Sequence, residues 1–236
     1  RGCPFSCSFC QQGEGYFTKI AFRDLDNVKN ELNHIAKKMT DKSPGIFHIE
    51  IADPNFAMYP QDLKICEEFR KLQDKYKWPR FIGCSTGKNQ PERILNAVSK
   101  LYPDSLLVSN SMQSTNEKTL EAIKRKNINL DGYNTVQTEI HKRGLRSMAD
   151  VILGLPGDTK EKHFESLRFG VDNKVNYMRM FQSMMLLGTE QASKETRKKF
   201  KLKTKFRTIP GCIGIYDILN KKYWILIQTL TYYCKH

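Results

Sequence analysis

Three cysteines near the start of the chain are the residues best suited to carry chemistry. Cys3, Cys7 and Cys10 follow one another at the spacing C-x3-C-x2-C, and Gly2 and Pro4 allow the segment to bend. Thiolates are metal ligands, so a dense group of them on a bent loop indicates a metal centre. A cubane iron–sulfur cluster is usually held by four thiolates, so a group of three would leave one iron free to bind another molecule.

Two other uses of clustered cysteines are weaker alternatives. A structural zinc site needs a further ligand at finger-like spacing, whereas the next histidine is His34 and the next cysteine is Cys66. A disulfide framework is typical of short secreted chains, and this chain has 236 residues and an odd number of cysteines, seven. The spacing therefore favours an iron–sulfur cluster.

The composition indicates a soluble globular protein. Hydrophobic residues make up 39% of the chain and charged residues 27%, which is typical of this class. The longest strongly apolar stretch, Tyr223–Leu230, is much shorter than a membrane-spanning helix, so no membrane partner is expected. Because exposed thiolates persist in reducing compartments, we expect a cytoplasmic protein.

The charge is strongly basic, since 39 Lys and Arg against 25 Asp and Glu give a net charge of +14. Part of the excess lies in residues 194–207, which hold eight basic residues and one acidic residue, Glu195. Such a run is commonly a solvated surface, and nucleic acid or another polyanion is the alternative partner. No aromatic- and glycine-rich RNA-binding signature accompanies the run, so nucleic acid is not favoured.

Helices and strands alternate along most of the chain. Apolar positions three and four residues apart predict helices, which cover Leu25–Met39, Gln61–Lys75, Glu92–Lys100, Asn116–Lys124, Gly132–Arg143 and Lys160–Val171. Short apolar runs between turn residues predict strands, which cover Ile46–Ile51, Arg80–Ser85, Ser105–Ser109, Met148–Leu153 and Asn176–Phe181. This alternation is typical of βαβ units and a parallel sheet.

The cysteine loop resembles that of the radical S-adenosylmethionine (radical SAM) enzymes. In that family a C-x3-C-x2-C loop follows the first strand of a partial barrel, and an aromatic residue, here Phe9, stands just before the last cysteine. The resemblance implies an α/β fold, a partial TIM-like (β/α)6 barrel of radical SAM type. Its first strand would lie upstream of Arg1, so that this chain begins inside the barrel. It also implies that Cys3, Cys7 and Cys10 hold a [4Fe–4S] cluster whose open iron chelates SAM.

The domain organisation follows from the extent of this resemblance. Residues 1–190 are expected to form the barrel core, and residues 191–236 a basic C-terminal extension. In that extension Ile213–Leu219 and Tyr223–Leu230 are expected to form a hairpin. Cys212 and Cys234 stand apart and are expected to be ordinary thiols.

Polar residues follow the predicted strand Ile46–Ile51, and in barrels of parallel strands this is where chemistry collects. Asp53-Pro-Asn55-Phe resembles the Asp-x-Asn-Phe segment of the radical SAM branch that is often fused to an N-terminal cobalamin (B12)-binding domain. The resemblance implies that Asp53 or Asn55 binds the ammonium group of SAM, and a plain Asx–Pro turn is the alternative. His48 and Glu50 share one face of this strand and would point into the barrel, with a core histidine as the alternative for His48.

A second polar group follows the predicted strand Ser105–Ser109. The segment that contains Ser111 and ends in Gln113-Ser114 resembles the Gln-Ser segment of the family, and Arg125 resembles its downstream arginine. The resemblance implies that Ser111 and Gln113 face the ribose hydroxyls of SAM and that Arg125 pairs with its carboxylate. These roles suit an amide, which both donates and accepts, and a guanidinium, which binds a carboxylate through two bonds. Because Arg125 stands between two lysines, a solvated surface arginine is the alternative.

A third group belongs to the predicted strand Met148–Leu153. Asp150 and the following Gly154-Leu155-Pro resemble the Asp-x-x-x-Gly-Leu-Pro segment of the family. The resemblance implies that Asp150 contacts the ribose and that Gly154 and Leu155 lie beside the adenine, where a glycine allows a close backbone approach. Phe9 would help to seat the same adenine.

The resemblance implies a radical enzyme. In this family the reduced cluster passes an electron to SAM, and the resulting 5′-deoxyadenosyl radical abstracts hydrogen from a substrate or takes part in methyl transfer. An electron donor of the flavodoxin or ferredoxin type is implied, as is cobalamin held by an upstream domain. Three alternatives stay open: a radical SAM enzyme acting on tRNA, an iron–sulfur or metal-binding module without SAM chemistry, and an inactive remnant. The substrate is not identified by the sequence.

Overall fold

Five parallel strands form the framework that positions the cysteine loop. The computed structural model describes residues 1–42, 45–126, 129–208, 215–217, 222–224 and 227–232. The strands are β1 (His48–Glu50), β2 (Phe81–Gly83), β3 (Leu107–Ser109), β4 (Arg146–Leu153) and β5 (Tyr177–Gln182). β1 pairs with β2, and β4 lies between β3 and β5. Hydrogen bonds from Ile82 N to Ser105 O (2.7 Å) and from Ser109 N to Thr86 Oγ1 (2.8 Å) join β2 to β3, so the strands stand in chain order.

Helices alternate with these strands. They are α1 (Leu25–Lys42), α2 (Pro60–Tyr76), α3 (Pro91–Val98), α4 (Glu117–Ala122), α5 (Leu130–Lys142) and α6 (Lys160–Asp172). The main core lies between the first three helices and the strands, where Phe69, Leu72, Ile82 and Leu95 are at most 2% exposed. Parallel strands in chain order, connected by helices, confirm the predicted α/β class and its partial barrel.

The limits of these elements agree with the predicted ones to within a few residues. β1 and β2 are shorter than predicted, but hydrogen bonds from Arg80 N to Phe47 O and from Ile51 N to Gly83 O, both 2.8 Å, continue the pairing at both ends. Helix α1 begins after Asp24, whose carboxylate accepts a hydrogen bond from Asn27 N at 2.9 Å. Local capping and apolar spacing therefore account for most of the element limits.

One helix was not predicted. α7 (Lys194–Lys199) lies in the basic run and is capped by Ser193, whose hydroxyl accepts a hydrogen bond from Thr196 N at 3.1 Å. Its signal was therefore present in the sequence, because serine is a favoured residue at a helix start.

The remaining strands are antiparallel. β6 (Lys203–Thr208) pairs with β9 (Ile227–Tyr232), and β7 (Ile215–Asp217) pairs with β8 (Lys222–Trp224). The β7–β8 pair lies within the segment for which a hairpin was predicted, but β9, which overlaps the second predicted arm, pairs with β6. Cys212 and Cys234 lie outside the described residues, and a boundary between residues 190 and 191 stays a prediction. Within the described part of the chain, no helix is both long enough and apolar enough to cross a membrane.

Candidate functional site

A cavity of about 610 Å³ lies at the C-terminal ends of the parallel strands. The cysteine loop forms one wall, and residues at or beyond the ends of β1, β2 and β3 form much of the rest. Most residues selected from the sequence meet here: Cys3, Cys7, Phe9, Cys10, Asp53, Asn55, Ser111, Gln113, Arg125 and Asp150. The strand-end rule for parallel barrels therefore located one common site.

Backbone hydrogen bonds hold the cysteine loop in a tight fold. Cys10 N donates to Cys7 O at 3.1 Å and Gly13 N to Cys10 O at 3.0 Å, while Cys3 N donates to Phe17 O at 2.8 Å. Ser8 fixes the loop to the barrel, since its N donates to Ile123 O at 3.0 Å and its O accepts from Gln191 N at 2.9 Å. The loop is thus anchored both to the end of α4 and to the segment after β5.

The three thiols of the loop are free and half-buried or buried. Burial raises the pKa of the Cys10 thiol, and hydrogen bonds with the backbone of Gln12 and Gly13 oppose that rise. Among the described residues, no three His, Cys, Asp or Glu side chains converge closely enough to hold a single metal ion. In a cubane each thiolate binds a different iron, and three thiols that line one cavity fit such a cluster.

Two buried amide side chains in the cavity wall have atoms with no hydrogen-bond partner among the described residues. They are Asn55 Nδ2, a donor, and Gln113 Oε1, an acceptor. Both residues are held firmly: Asn55 N donates to Asp53 Oδ1 at 2.9 Å, and the Gln113 backbone, at φ 59°, bonds to Asp150 and Ile152 of β4. Because buried polar groups are normally satisfied, these two atoms fit a polar ligand with both donors and acceptors, as SAM has.

Asp150 faces the cavity but is already engaged on both carboxylate oxygens. Arg179, its register partner on β5, donates from Nε to Oδ1 at 2.7 Å and from Nη2 to Oδ2 at 3.2 Å. Ser111 Oγ donates to Oδ2 at 3.0 Å. Ser111 and Asp150 therefore form a charged group with Arg179, a residue that the sequence analysis did not select.

Arg125 reaches the cavity wall. Its Nη2 donates to Ser111 O at 2.7 Å. Burial lowers the pKa of its guanidinium, and the nearby Cys7 thiol and the Asp150 carboxylate oppose that change. Since an arginine stays protonated in proteins, Arg125 places a positive charge beside the cysteine loop instead of lying free on the surface.

Gly154 and Leu155 are described but are not part of the cavity wall. Leu155 is 0% exposed and packs with Ile123 and Ile152, and Phe9 packs against this group. The cluster that contains Leu155 is thus in contact with Phe9, which does line the cavity. A direct contact of Gly154 or Leu155 with a ligand in this cavity stays a prediction.

Glu50 and Lys88 also line the cavity; the strand pattern predicts that Glu50 points into the barrel, whereas Lys88 was not predicted. Lys88 follows β2, with Nζ 4.0 Å from the centre of the Phe5 ring and 3.3 Å from Lys126 O. Glu50 ends β1 and lies over Gly83, where an added Cβ would overlap its carboxylate. Lys88 lies beyond the end of β2, so the strand-end rule applied to that strand indicates it as well.

Known proteins with similar sequences include two methyltransferases. The chain is 32% identical over 162 residues to the cobalamin-dependent radical SAM methyltransferase TokK of Streptomyces tokunonensis. It is 31% identical over 159 residues to 2-(S-pantetheinyl)-carbapenam-3-carboxylate methyltransferase of Streptantibioticus cattleyicolor. These matches cover 67% and 66% of this chain but only 23% and 22% of the relatives, so the chain spans less than a quarter of their length.

Solved structures share the fold at low sequence identity. The radical S-adenosylmethionine methyltransferase TsrM of Kitasatospora setae superimposes with a TM-score of 0.69 at 12% identity, covering 97% of this chain and 46% of that one. Methylornithine synthase (PylB) gives a TM-score of 0.55 at 18% identity, covering 80% of this chain and 53% of that one.

The match to a family profile covers most of the barrel core. The Radical SAM superfamily profile matches residues 1–170, which include the cysteine loop and every residue selected for the site. The chain therefore belongs to the radical SAM superfamily.

Proposed function

We propose that this chain is the cluster- and SAM-binding part of a radical SAM methyltransferase. The observation that carries the proposal is that the three loop thiols, two unpartnered amide groups and Arg125 line the same cavity. Each of these groups suits one part of a cluster or of SAM: thiolates bind iron, amides bind hydroxyls and amines, and a guanidinium binds a carboxylate.

In this proposal Cys3, Cys7 and Cys10 hold a [4Fe–4S] cluster that, when SAM is bound to it, supplies reductive cleavage of SAM to a 5′-deoxyadenosyl radical. Arg125 pairs with the SAM carboxylate, and Asp53 and Asn55 receive its ammonium group. Ser111, Gln113 and Asp150 face the ribose, and Phe9 supports the adenine near Gly154 and Leu155. The chain's contribution is to orient SAM and to exclude water from the reacting groups.

Methyl transfer is favoured over other radical reactions because two relatives above 30% identity carry out methyl transfer by name. One of them is named as cobalamin-dependent, so we propose that cobalamin takes part here also, held by residues outside this chain. A flavodoxin- or ferredoxin-type electron donor and a reducing, cytoplasmic setting complete the proposal. The identity of the methyl acceptor is left open, and the basic run 194–207 is the feature that supports tRNA as an alternative substrate.

The experiment is anaerobic reconstitution with iron and sulfide, followed by dithionite reduction and electron paramagnetic resonance with and without SAM. We expect a [4Fe–4S]+ signal that shifts when SAM is added, together with release of 5′-deoxyadenosine. Cys7→Ala should abolish the signal because it removes one of the three ligands.

Cys84→Ala is the matched control, because Cys84 is a free thiol of the same chain that does not line the cavity. It should load iron as the wild type does. Zinc uptake in place of iron, or a cluster signal that SAM leaves unchanged, would refute the proposal in favour of a metal-binding module without SAM chemistry. A loaded cluster that binds SAM but releases no 5′-deoxyadenosine would identify an inactive remnant.

A further inference from the structure

Arg1 bridges two buried carboxylates behind the cavity. Its Nε lies 3.0 Å from Asp53 Oδ2, and its Nη1 donates to Asp62 Oδ2 at 2.9 Å while Nη2 donates to Asp62 Oδ1 at 2.5 Å. The exposed fractions of these side chains are 10% for Arg1, 7% for Asp53 and 0% for Asp62. The guanidinium also lies against the rings of Phe22 and Tyr59, at 5.1 and 4.9 Å. A buried, bridged and stacked arginine is strongly fixed in position.

Asp62 acts as the anchor of this group. Its two oxygens take both terminal nitrogens of Arg1, and Oδ2 also accepts from Tyr59 N at 3.1 Å. Asp62 does not line the cavity, whereas Asp53 does. The position of Asp53 therefore depends on Arg1, and the position of Arg1 depends on Asp62.

The charges of the group are unbalanced. One guanidinium and two carboxylates carry a net charge of minus one, and buried charges are tolerated when they are paired. Asp53 forms an ion pair with Arg1 and accepts a hydrogen bond from Asn55 N. A carboxylate has about four acceptor positions, so Asp53 keeps capacity to accept further bonds at the cavity wall. A cationic group of a ligand in the cavity would balance the remaining negative charge.

We infer that Arg1 is a positioning residue for SAM: with Asp62 behind it, Arg1 fixes the Asp53 carboxylate so that Asp53 binds the ammonium group of the ligand. This inference rests on the proposed function. It also explains why the ligand site and the cysteine loop are close to each other, because only Gly2 separates Arg1 from Cys3. The segment that carries the thiolates thus also fixes the carboxylate at the end of β1.

The test compares two ligands on reconstituted protein. SAM carries the ammonium group, whereas 5′-methylthioadenosine keeps the adenosine and the sulfur but lacks both the amino and the carboxylate groups. Arg1→Gln should weaken SAM binding about tenfold or more, the effect expected when a charge-assisted hydrogen bond is lost. It should leave the affinity for 5′-methylthioadenosine and the iron content per chain at wild-type values.

Two further variants test the bridge from other directions. Asp62→Asn should weaken SAM binding in the same ligand-selective way, because Arg1 loses its anchor while Asp53 stays intact. Arg1→Lys should give an intermediate SAM affinity, since a lysine keeps the charge but cannot bridge two carboxylates with a planar fork. Arg23→Gln is the matched control, because Arg23 pairs with Glu31 on the exposed surface and its loss should change neither affinity.

The outcomes separate this inference from the proposed function. Equal losses of affinity for both ligands, or loss of iron in Arg1→Gln, would overturn it by assigning Arg1 a purely structural role. An unchanged SAM affinity in Arg1→Gln would overturn it as well. A wild type that loads iron but binds no SAM would instead refute the proposed function, and the inference with it.

Discussion

At the scale of single residues, the site is organised by charged groups that share partners. Asp53 and Asp150 both line the cavity, and each is held from behind by an arginine, Arg1 and Arg179 respectively. When some lone pairs of a carboxylate are already bound to fixed partners, the carboxylate keeps one orientation, and its remaining lone pairs point in a defined direction. Both aspartates are therefore oriented before any ligand enters, which lowers the entropic cost of binding.

The pairing of Asp150 with Arg179 should contribute to stability. Arg179→Gln removes both bonds to a carboxylate whose side chain is only 17% exposed. We expect the free energy of unfolding to fall by about 1 kcal/mol, because the arginine itself is partly solvated. Urea denaturation followed by circular dichroism measures this change.

Arg70→Gln provides the comparison, since Arg70 pairs with Asp74 one helical turn away and both side chains are about half exposed. Its loss should cost less than about 0.5 kcal/mol. Equal losses in the two variants would show that the Asp150–Arg179 pair is no more than a surface ion pair.

The sequence allowed the prediction of these aspartates but not of their partners. Asp53 follows a recognisable strand, where the strand-end rule applies. Asp150 lies within β4 and was selected by the resemblance of its segment to the family's Asp-x-x-x-Gly-Leu-Pro. Arg179 lies 29 positions from Asp150, and Asp62 lies 61 positions from Arg1. Such pairs depend on which strands are neighbours and on their register, and single-residue patterns do not specify either. Leu155 illustrates the same limit, because its motif does not show that its side chain packs in a cluster with Ile123 and Ile152.

At the scale of elements, periodicity predicted the helices and strands of the barrel core well. It did not predict the close packing of the cysteine loop. A Cβ added at Gly2 would overlap the backbone oxygens of Phe17 and Lys19, and one added at Gly13 would lie 2.6 Å from Cys7 O. Glycine at these positions lets the cysteine loop fold against itself. Spacing alone could suggest a bend there but not which backbone atoms meet.

Gly13→Ala should therefore impair cluster assembly. The added methyl group must displace the backbone of Cys7, and overpacking of this kind typically costs about 1–3 kcal/mol. Because Cys7 carries a proposed cluster ligand, we expect the iron and sulfide bound per chain after reconstitution to fall to about half or less of the wild-type value.

Gly15→Ala is the control for this element. A Cβ at Gly15 meets nothing within 4 Å, so this variant should load iron as the wild type does. Normal loading of Gly13→Ala would show that the loop adjusts freely and that its close packing is not required by the cluster.

At the scale of the whole molecule, the excess of positive charge is the property that the site does not explain. The chain carries +14, and residues 194–201 place Lys194, Lys198 and Lys201 in exposed positions on and after α7. Clustered charges attract polyanions more strongly than the same number of scattered charges, because one partner can contact them together. The run is thus the structural basis of the tRNA alternative.

Two triple variants with the same net charge test whether this surface matters. Lys194→Gln, Lys198→Gln and Lys201→Gln together remove three positive charges from the run, whereas Lys37→Gln, Lys64→Gln and Lys142→Gln together remove three exposed lysines from separate helices. The first variant should elute from a heparin column at a distinctly lower salt concentration than the second, because log affinity falls with each polyanion contact that is lost. SAM affinity should stay at the wild-type value in both. Identical elution of the two variants would mean that only the total charge determines binding. If only the first variant loses 5′-deoxyadenosine formation in the presence of tRNA, that result would favour tRNA as the substrate.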